Sequence, residues 1–244
     1  MSRMQGASKN RHDGGATLAR GAKNGMIQLV ISLFLLSPVS LRGEEAALST
    51  FLSEIEATYR KMEDLQADFT QTIRFEGFDT ESVESGRLFL KKGLIRWDYQ
   101  KPEPKQIFVN GNRVFYYTPE QQQVIKRDIA PGDTDQMIPL QLLTKLDHLG
   151  DYFRISVEEA GVNRPTSIRM IPHTQGGSLA LRYIIATVVP YPKLNGLILK
   201  TISLYEENGN VSTFSFDGVK VNQGIKEEQF QFKIPKGVEV IEDR

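Results

Sequence analysis

Lys105-Gln-Ile-Phe-Val-Asn-Gly-Asn-Arg-Val-Phe-Tyr-Tyr-Thr118 is the stretch that decides the fold. It holds two short runs of strand-forming residues separated by Asn110-Gly111, a pair that tolerates the positive φ a two-residue hairpin requires. The same pattern continues on both sides. Residues 66–75, 84–92, 94–99 and 123–128 read as strands with a period of two, joined by links too short for anything but antiparallel neighbours. Beyond a break at Ala130-Pro131-Gly132-Asp133 the pattern resumes over 152–157, 167–171, 178–189, 197–205, 211–221 and 229–234, with a second tight turn at Asn208-Gly209. Pro190-Tyr191-Pro192 marks a further break or a sheet edge.

Two segments carry a helical period instead. In 46–65, Leu48, Phe51, Leu52, Ile55, Tyr59, Met62 and Leu65 recur at steps of three and four, with Ser49 or Thr50 as expected caps. A shorter helix is expected over 138–146, with Pro139 in its first turn. About eleven strands with so few helices either close into a barrel or curl without closing. The two apolar helical stripes then need an apolar partner, and the concave face of the sheet supplies one.

Alternation sorts the strand residues by side. Ile95, Trp97 and Tyr99 share a face, as do Ile107 and Val109, Phe214 and Phe216, and Phe230 and Phe232; Leu88 and Leu90 alternate in the strand before them. These side chains form either a filled core or the lining of a cavity, and periodicity alone does not distinguish the two.

The composition of the 244 residues is ordinary for a globular chain, at 40% hydrophobic and 25% charged. There is no cysteine, which excludes disulfides, thiolate chemistry, zinc-thiolate sites and a lipidated N-terminal cysteine. Net charge is zero, but residues 1–43 carry Arg3, Lys9, Arg11, Arg20, Lys23 and Arg42 against Asp13 alone. The body is left at about −5, with no basic excess to suggest a nucleic-acid partner. Arg20 and Lys23 precede an apolar run from Met26 to Leu36 that stops at Ser37-Pro38. A basic flank, a short apolar run and a breaker make an export signal, and the run falls short of the ~20 residues of a spanning helix. Residues 1–43 are therefore expected to be a signal peptide, cut somewhere in 43–47, and 44–244 a single domain.

Nothing points to catalysis. His148 and His173 have no metal-ligand spacing, and neither a nucleophile elbow nor a phosphate-binding glycine loop is present. Glu158-Glu159, Glu206-Glu207 and Glu227-Glu228 are adjacent pairs near strand ends; neighbours on a strand point to opposite faces and do not share a cleft. The expectation is a binding protein without cofactor or metal.

The order of motifs resembles the outer-membrane lipoprotein carrier family, LolA. The resemblance rests on Leu65-Gln-Ala-Asp-Phe-Thr-Gln71, Gly86-Arg-Leu-Phe-Leu-Lys-Lys92, Ile95-Arg-Trp-Asp-Tyr99 with Pro102, Gln106-Ile-Phe-Val-Asn-Gly111 and Val114-Phe-Tyr-Tyr-Thr-Pro119. Glu206-Glu-Asn-Gly-Asn210, Phe230-Gln-Phe-Lys-Ile-Pro235 and Gly237-Val-Glu-Val240 extend it to most of 46–242. It implies a mainly β fold with two to three helices: an incomplete, unclosed antiparallel β-barrel with a helical lid over a hydrophobic cavity. It implies a monomeric periplasmic carrier that takes acylated lipoproteins from an inner-membrane ATP-driven exporter and passes them to an outer-membrane receptor lipoprotein. A lipid-binding or lipoprotein-sensing module of the same fold is the alternative. On this reading Leu88, Leu90, Ile95, Trp97, Tyr99, Ile107, Val109, Phe214, Phe216, Phe230 and Phe232 line the acyl-chain cavity, and Leu140, Leu142, Leu143 and Leu146 belong to the lid. One departure stands out. Family members carry an Arg-Pro after the strand matching 88–91, and that arginine latches the lid. Here the segment reads Lys91-Lys92-Gly93, with Lys92 the nearest match, and lysine lacks the planar fork of arginine.

Overall fold

In the computed structural model, residues 39–128, 149–161, 165–173 and 181–243 are described. The apolar run 26–36, the expected helix 138–146 with its four leucines, and His148 lie outside them.

Helix α1 spans Val39–Arg60. Its stripe buries Phe51 and Ile55, with Leu48, Leu52 and Tyr59 packed alongside. The helix starts well before residue 46 and stops before 65, because Leu65 is taken by the sheet, where it pairs with both Leu90 and Val221. The end tightens into three-residue turns, Lys61 N to Thr58 O (3.1 Å) and Met62 N to Tyr59 O (3.0 Å). Ser49 and Thr50 do not cap it; both lie inside the helix, and the Thr50 hydroxyl bonds back to Ala46 O at 2.9 Å. A single turn, α2, covers Leu149–Tyr152.

Among the described residues, twelve strands make one sheet. They are β1 Leu65–Arg74, β2 Glu81–Lys91, β3 Leu94–Lys101, β4 Lys105–Asn110, β5 Arg113–Thr118 and β6 Gln123–Asp128, then β7 Phe153–Ala160, β8 Pro165–Pro172, β9 Leu181–Tyr191, β10 Gly196–Glu206, β11 Val211–Val221 and β12 Glu239–Asp243. Their order is β12-β6-β5-β4-β3-β2-β1-β11-β10-β9-β8-β7. Two antiparallel meanders thus meet at the β1–β11 pair, and β7 and β12 remain as unjoined edges. The barrel is incomplete. The turns sit where the sequence marks them: Gly111 at φ 62 between β4 and β5, Gly209 at φ 92 between β10 and β11, and Lys92-Gly93 at φ 43 and 82 between β2 and β3.

The expected strand at 229–234 is not one. After β11 the chain makes a 3₁₀ turn at Glu227–Phe230 and crosses the outer face of the sheet, where Phe232 packs on Phe108, Phe115 and Tyr117 at 5.0, 5.3 and 5.5 Å between ring centres. The last strand is instead β12, parallel to β6 and tied to it by Glu239 N to Gln122 O at 2.9 Å and by the Lys126–Glu242 and Arg127–Asp243 ion pairs. The 222–230 crossing is held by buried Asp64, whose carboxylate accepts the N–H groups of Gln223, Gly224 and Ile225 at 2.8, 2.8 and 3.0 Å. Lys91 Nζ donates to Ile225 O, and Arg96 Nη1 to Gln229 O at 3.3 Å.

One face of the sheet, from β5 round to β7, gathers with Phe51 and Ile55 into a single apolar cluster. Helix α1 lies over β10 and β8. Two side chains of α1 fasten it to the backbone of β10: Leu197 N donates to Thr58 Oγ1 at 3.1 Å and Leu199 N to Tyr59 Oη at 3.2 Å. The fold is an unclosed, mainly antiparallel half-barrel with a helix across its apolar face.

Candidate functional site

The register of β1 to β5 and β11 assembles most of the expected lining. Leu88 stands opposite Trp97, and Trp97 opposite Ile107; Leu90 stands opposite Ile95, and Ile95 opposite Val109. Phe69 faces Phe216, and Gln71 faces Phe214. Leu88, Leu90, Ile95, Trp97, Tyr99, Val109, Phe214 and Phe216 are all buried in the common cluster, and Ile107 packs at its margin. Rings interlock at the centre: Phe69 meets Trp97 edge-on at 5.3 Å and Tyr99 at 4.9 Å, and Trp97 meets Phe214 at 5.2 Å. Gly86, between Phe69 and Tyr99, permits this, since a Cβ there would lie 1.9 Å from Asp98 O.

Phe230 and Phe232 are not part of this face. Phe232 sits on Phe108 and Phe115, whose strands turn them to the other side from Ile107 and Val109, and Phe230 is buried apart from the interior cluster. The sheet therefore carries a second aromatic cluster outside. Phe108, Phe115 and Tyr117 in the quoted hairpin hold the signal for it, since they alternate out of phase with Ile107 and Val109. Lys92 is exposed in the β2–β3 turn.

Polar groups within the interior are few. Tyr99 Oη donates to Gln71 Oε1 at 2.8 Å, and Gln71 Nε2 donates to Ser212 Oγ at 2.9 Å. Burial, and after it the Glu84 carboxylate, hold the Tyr99 hydroxyl well above the usual phenol range. Burial pushes the Tyr59 hydroxyl up to about 12, against the opposing effect of the Leu199 N–H. Trp97 Nε1–H, also buried, has no acceptor among the described residues.

Under α1 the packing is close. Ile55, Leu149, Ile168, Met170, Ala186, Val188, Leu199 and Ile202 surround an apolar void of about 10 Å³. That admits one water at most. Among the described residues, these side chains leave little free space at this point beneath the helix.

The acidic pairs lie elsewhere. Glu158 takes Arg169 through two bonds at 2.6 and 2.9 Å, which keep its carboxyl below the usual carboxylate range. Glu206 accepts from Asn208 Nδ2 at 3.0 Å beside the β10–β11 turn, and Glu227-Glu228 open the 3₁₀ turn, exposed. His173 is exposed and ties its ring Nε2 to Gly150 O at 3.1 Å. Among the described residues no group of three or more His, Asp or Glu side chains could hold a metal, and no helix is long and apolar enough to cross a membrane. What the arrangement offers chemically is an apolar surface beneath a helix.

Residues 60–233 match the family model of the outer membrane lipoprotein carrier protein LolA. The chain is 30% identical over 184 residues to the outer-membrane lipoprotein carrier protein of Methylococcus capsulatus, covering 74% of this chain and 82% of that one. It is 30% identical over 187 residues to that of Azotobacter vinelandii, covering 73% and 82%. A crystal structure of a LolA superfamily protein from Nitrosomonas europaea aligns over 75% of this chain and 97% of its own at 10% identity, with a TM-score of 0.42. The chain belongs to the outer membrane lipoprotein carrier protein LolA family.

Proposed function

We propose that the protein is a periplasmic carrier that shields the acyl chains of lipoproteins between the inner and the outer membrane. The observation that carries this reading is the largely apolar inner face of an unclosed sheet, covered by a helix fastened at its C-terminal end, through Thr58 and Tyr59. Residues 1–43 act as the signal peptide, cut within 43–47, and 44–244 form the working domain. An inner-membrane ATP-driven exporter loads it and an outer-membrane receptor lipoprotein unloads it. The protein acts as a monomer, by binding alone, without catalysis or cofactor.

The energetics fit a carrier. Burying a methylene is worth about 0.8 kcal/mol, so an acyl chain of roughly fifteen contributes on the order of 12 kcal/mol. The chain enters by displacing side chains packed on the inner face, Phe51 and Ile55 among them. Phe51 and Ile55 each contribute ~1.5–3 kcal/mol by their own burial. Loading forfeits that energy and release regains it, which keeps cargo exchangeable. Because Thr58 and Tyr59 anchor one end, α1 swings from its N-terminal half, where Glu45, Ala46, Ala47, Ser49 and Thr50 are exposed.

The test is purification of the exported chain from a Gram-negative periplasm, followed by native mass spectrometry. Bound triacylated lipoprotein supports the carrier. Bound phospholipid in its place supports the lipid-binding alternative, and a protein that never carries an acyl ligand contradicts both.

A further inference from the structure

Trp97 is the single tryptophan of the chain and is only 2% exposed. It stands at the middle of the inner face, paired with Leu88 on one side and Ile107 on the other, and it touches the rings of Phe69 and Phe214. The nearby polar side chains satisfy one another: Tyr99 bonds Gln71, and Gln71 bonds Ser212. Among the described residues, the indole N–H is a buried side-chain donor left without an acceptor. A buried donor without a partner destabilises a fold, whereas a phenyl ring in its place would bring no such donor.

We propose that Trp97 Nε1–H is the polar anchor of the interior and donates a hydrogen bond to the carbonyl oxygen, ester or amide, at the head of an entering acyl chain. This rests on the carrier reading and adds a selectivity to it. Hydrocarbon has no acceptor to offer, and the carbonyl is the one acceptor every acyl chain brings with it. The apolar wall recognises chain length and bulk. The indole N–H distinguishes an acyl chain from an alkyl chain of the same size.

The experiment compares synthetic diacylglyceryl lipopeptides with dialkyl-ether lipopeptides of equal chain length, both titrated into the exported protein. The wild type is expected to prefer the ester form roughly twofold to tenfold, the range one hydrogen bond supplies. Trp97→Phe loses that preference. Because phenylalanine is smaller and leaves space behind, a second variant carries benzothienylalanine at position 97, which keeps the bicyclic shape and replaces the N–H by sulfur. It should be at least as thermostable as the wild type while losing the ester preference, a pairing that a purely structural role does not produce. Lipopeptides carrying ¹³C at the ester carbonyls or at the N-acyl amide carbonyl identify the bonded group, through an infrared band that falls on loading in the wild type and stays in the variants. Equal preference and an unmoved band in all three proteins overturn the anchor while leaving the carrier standing. Failure of the wild type to take up either lipopeptide overturns both.

Discussion

Thr58 and Gly196 meet so closely that a Cβ on the glycine would lie 1.9 Å from Thr58 Oγ1. This is where α1 rests on β10, and the adjacent Leu197 N–H bonds the same hydroxyl. Gly196→Ala should therefore push the helix off the sheet at its fastened end. Overpacking of this kind costs about 1–3 kcal/mol. Urea denaturation should show the loss, and loading should become faster because the helix is already raised. An alanine variant with unchanged stability and unchanged loading rate would contradict this contact.

Asp64 fixes the chain after β11 by accepting three consecutive N–H groups, from Gln223, Gly224 and Ile225. Asp64→Ala removes the acceptor of all three and leaves the buried Ile225 N–H without a partner, which should cost about 1–3 kcal/mol. The released segment carries Phe232 off Phe108 and Phe115. Hydrogen exchange should accelerate over 222–232 and hardly change in β8 to β10.

Alkali should unfold the protein through its buried phenols. Tyr59 and Tyr99 both titrate above the ordinary value of 10.0, Tyr59 at about 12. Between these values the unfolded chain binds fewer protons than the native one, so stability falls as pH rises. The contribution is complete below pH 10 and is lost progressively towards pH 12. Tyr59→Phe should make the decline less steep and should lack the part of the tyrosinate absorbance that appears only as structure is lost. A Tyr59→Phe variant whose alkaline unfolding matches that of the wild type would contradict the assignment.

The hairpins were legible because short turns such as Asn110-Gly111 and Asn208-Gly209 fix register, and register fixes which side chains share a face. That is why Ile95, Trp97 and Tyr99 could be placed together with Ile107 and Val109. The same rule misled at Phe230 and Phe232. Alternating aromatics look alike whether a segment lies within a sheet or across its outer side, and the bonds from Lys91, Arg96 and Asp64 that hold this crossing come from residues remote in sequence. The C-terminal end of α1 differs from the expected one because Leu65 continues the helical stripe equally well as it begins β1. The Tyr99–Gln71–Ser212 chain joins three strands, and no local pattern announces it.

Acyl chains that lodge against the inner face meet Trp97, which lies at the middle of that face and is the only indole of the chain. The most direct measurement is contact quenching of its fluorescence by lipopeptides with brominated acyl chains, titrated beside unbrominated ones of the same length. Saturable quenching by the brominated form alone is expected, with the same midpoint as binding measured independently. Full binding with the Trp97 emission unquenched would place the chains elsewhere and contradict their lodging on the inner face.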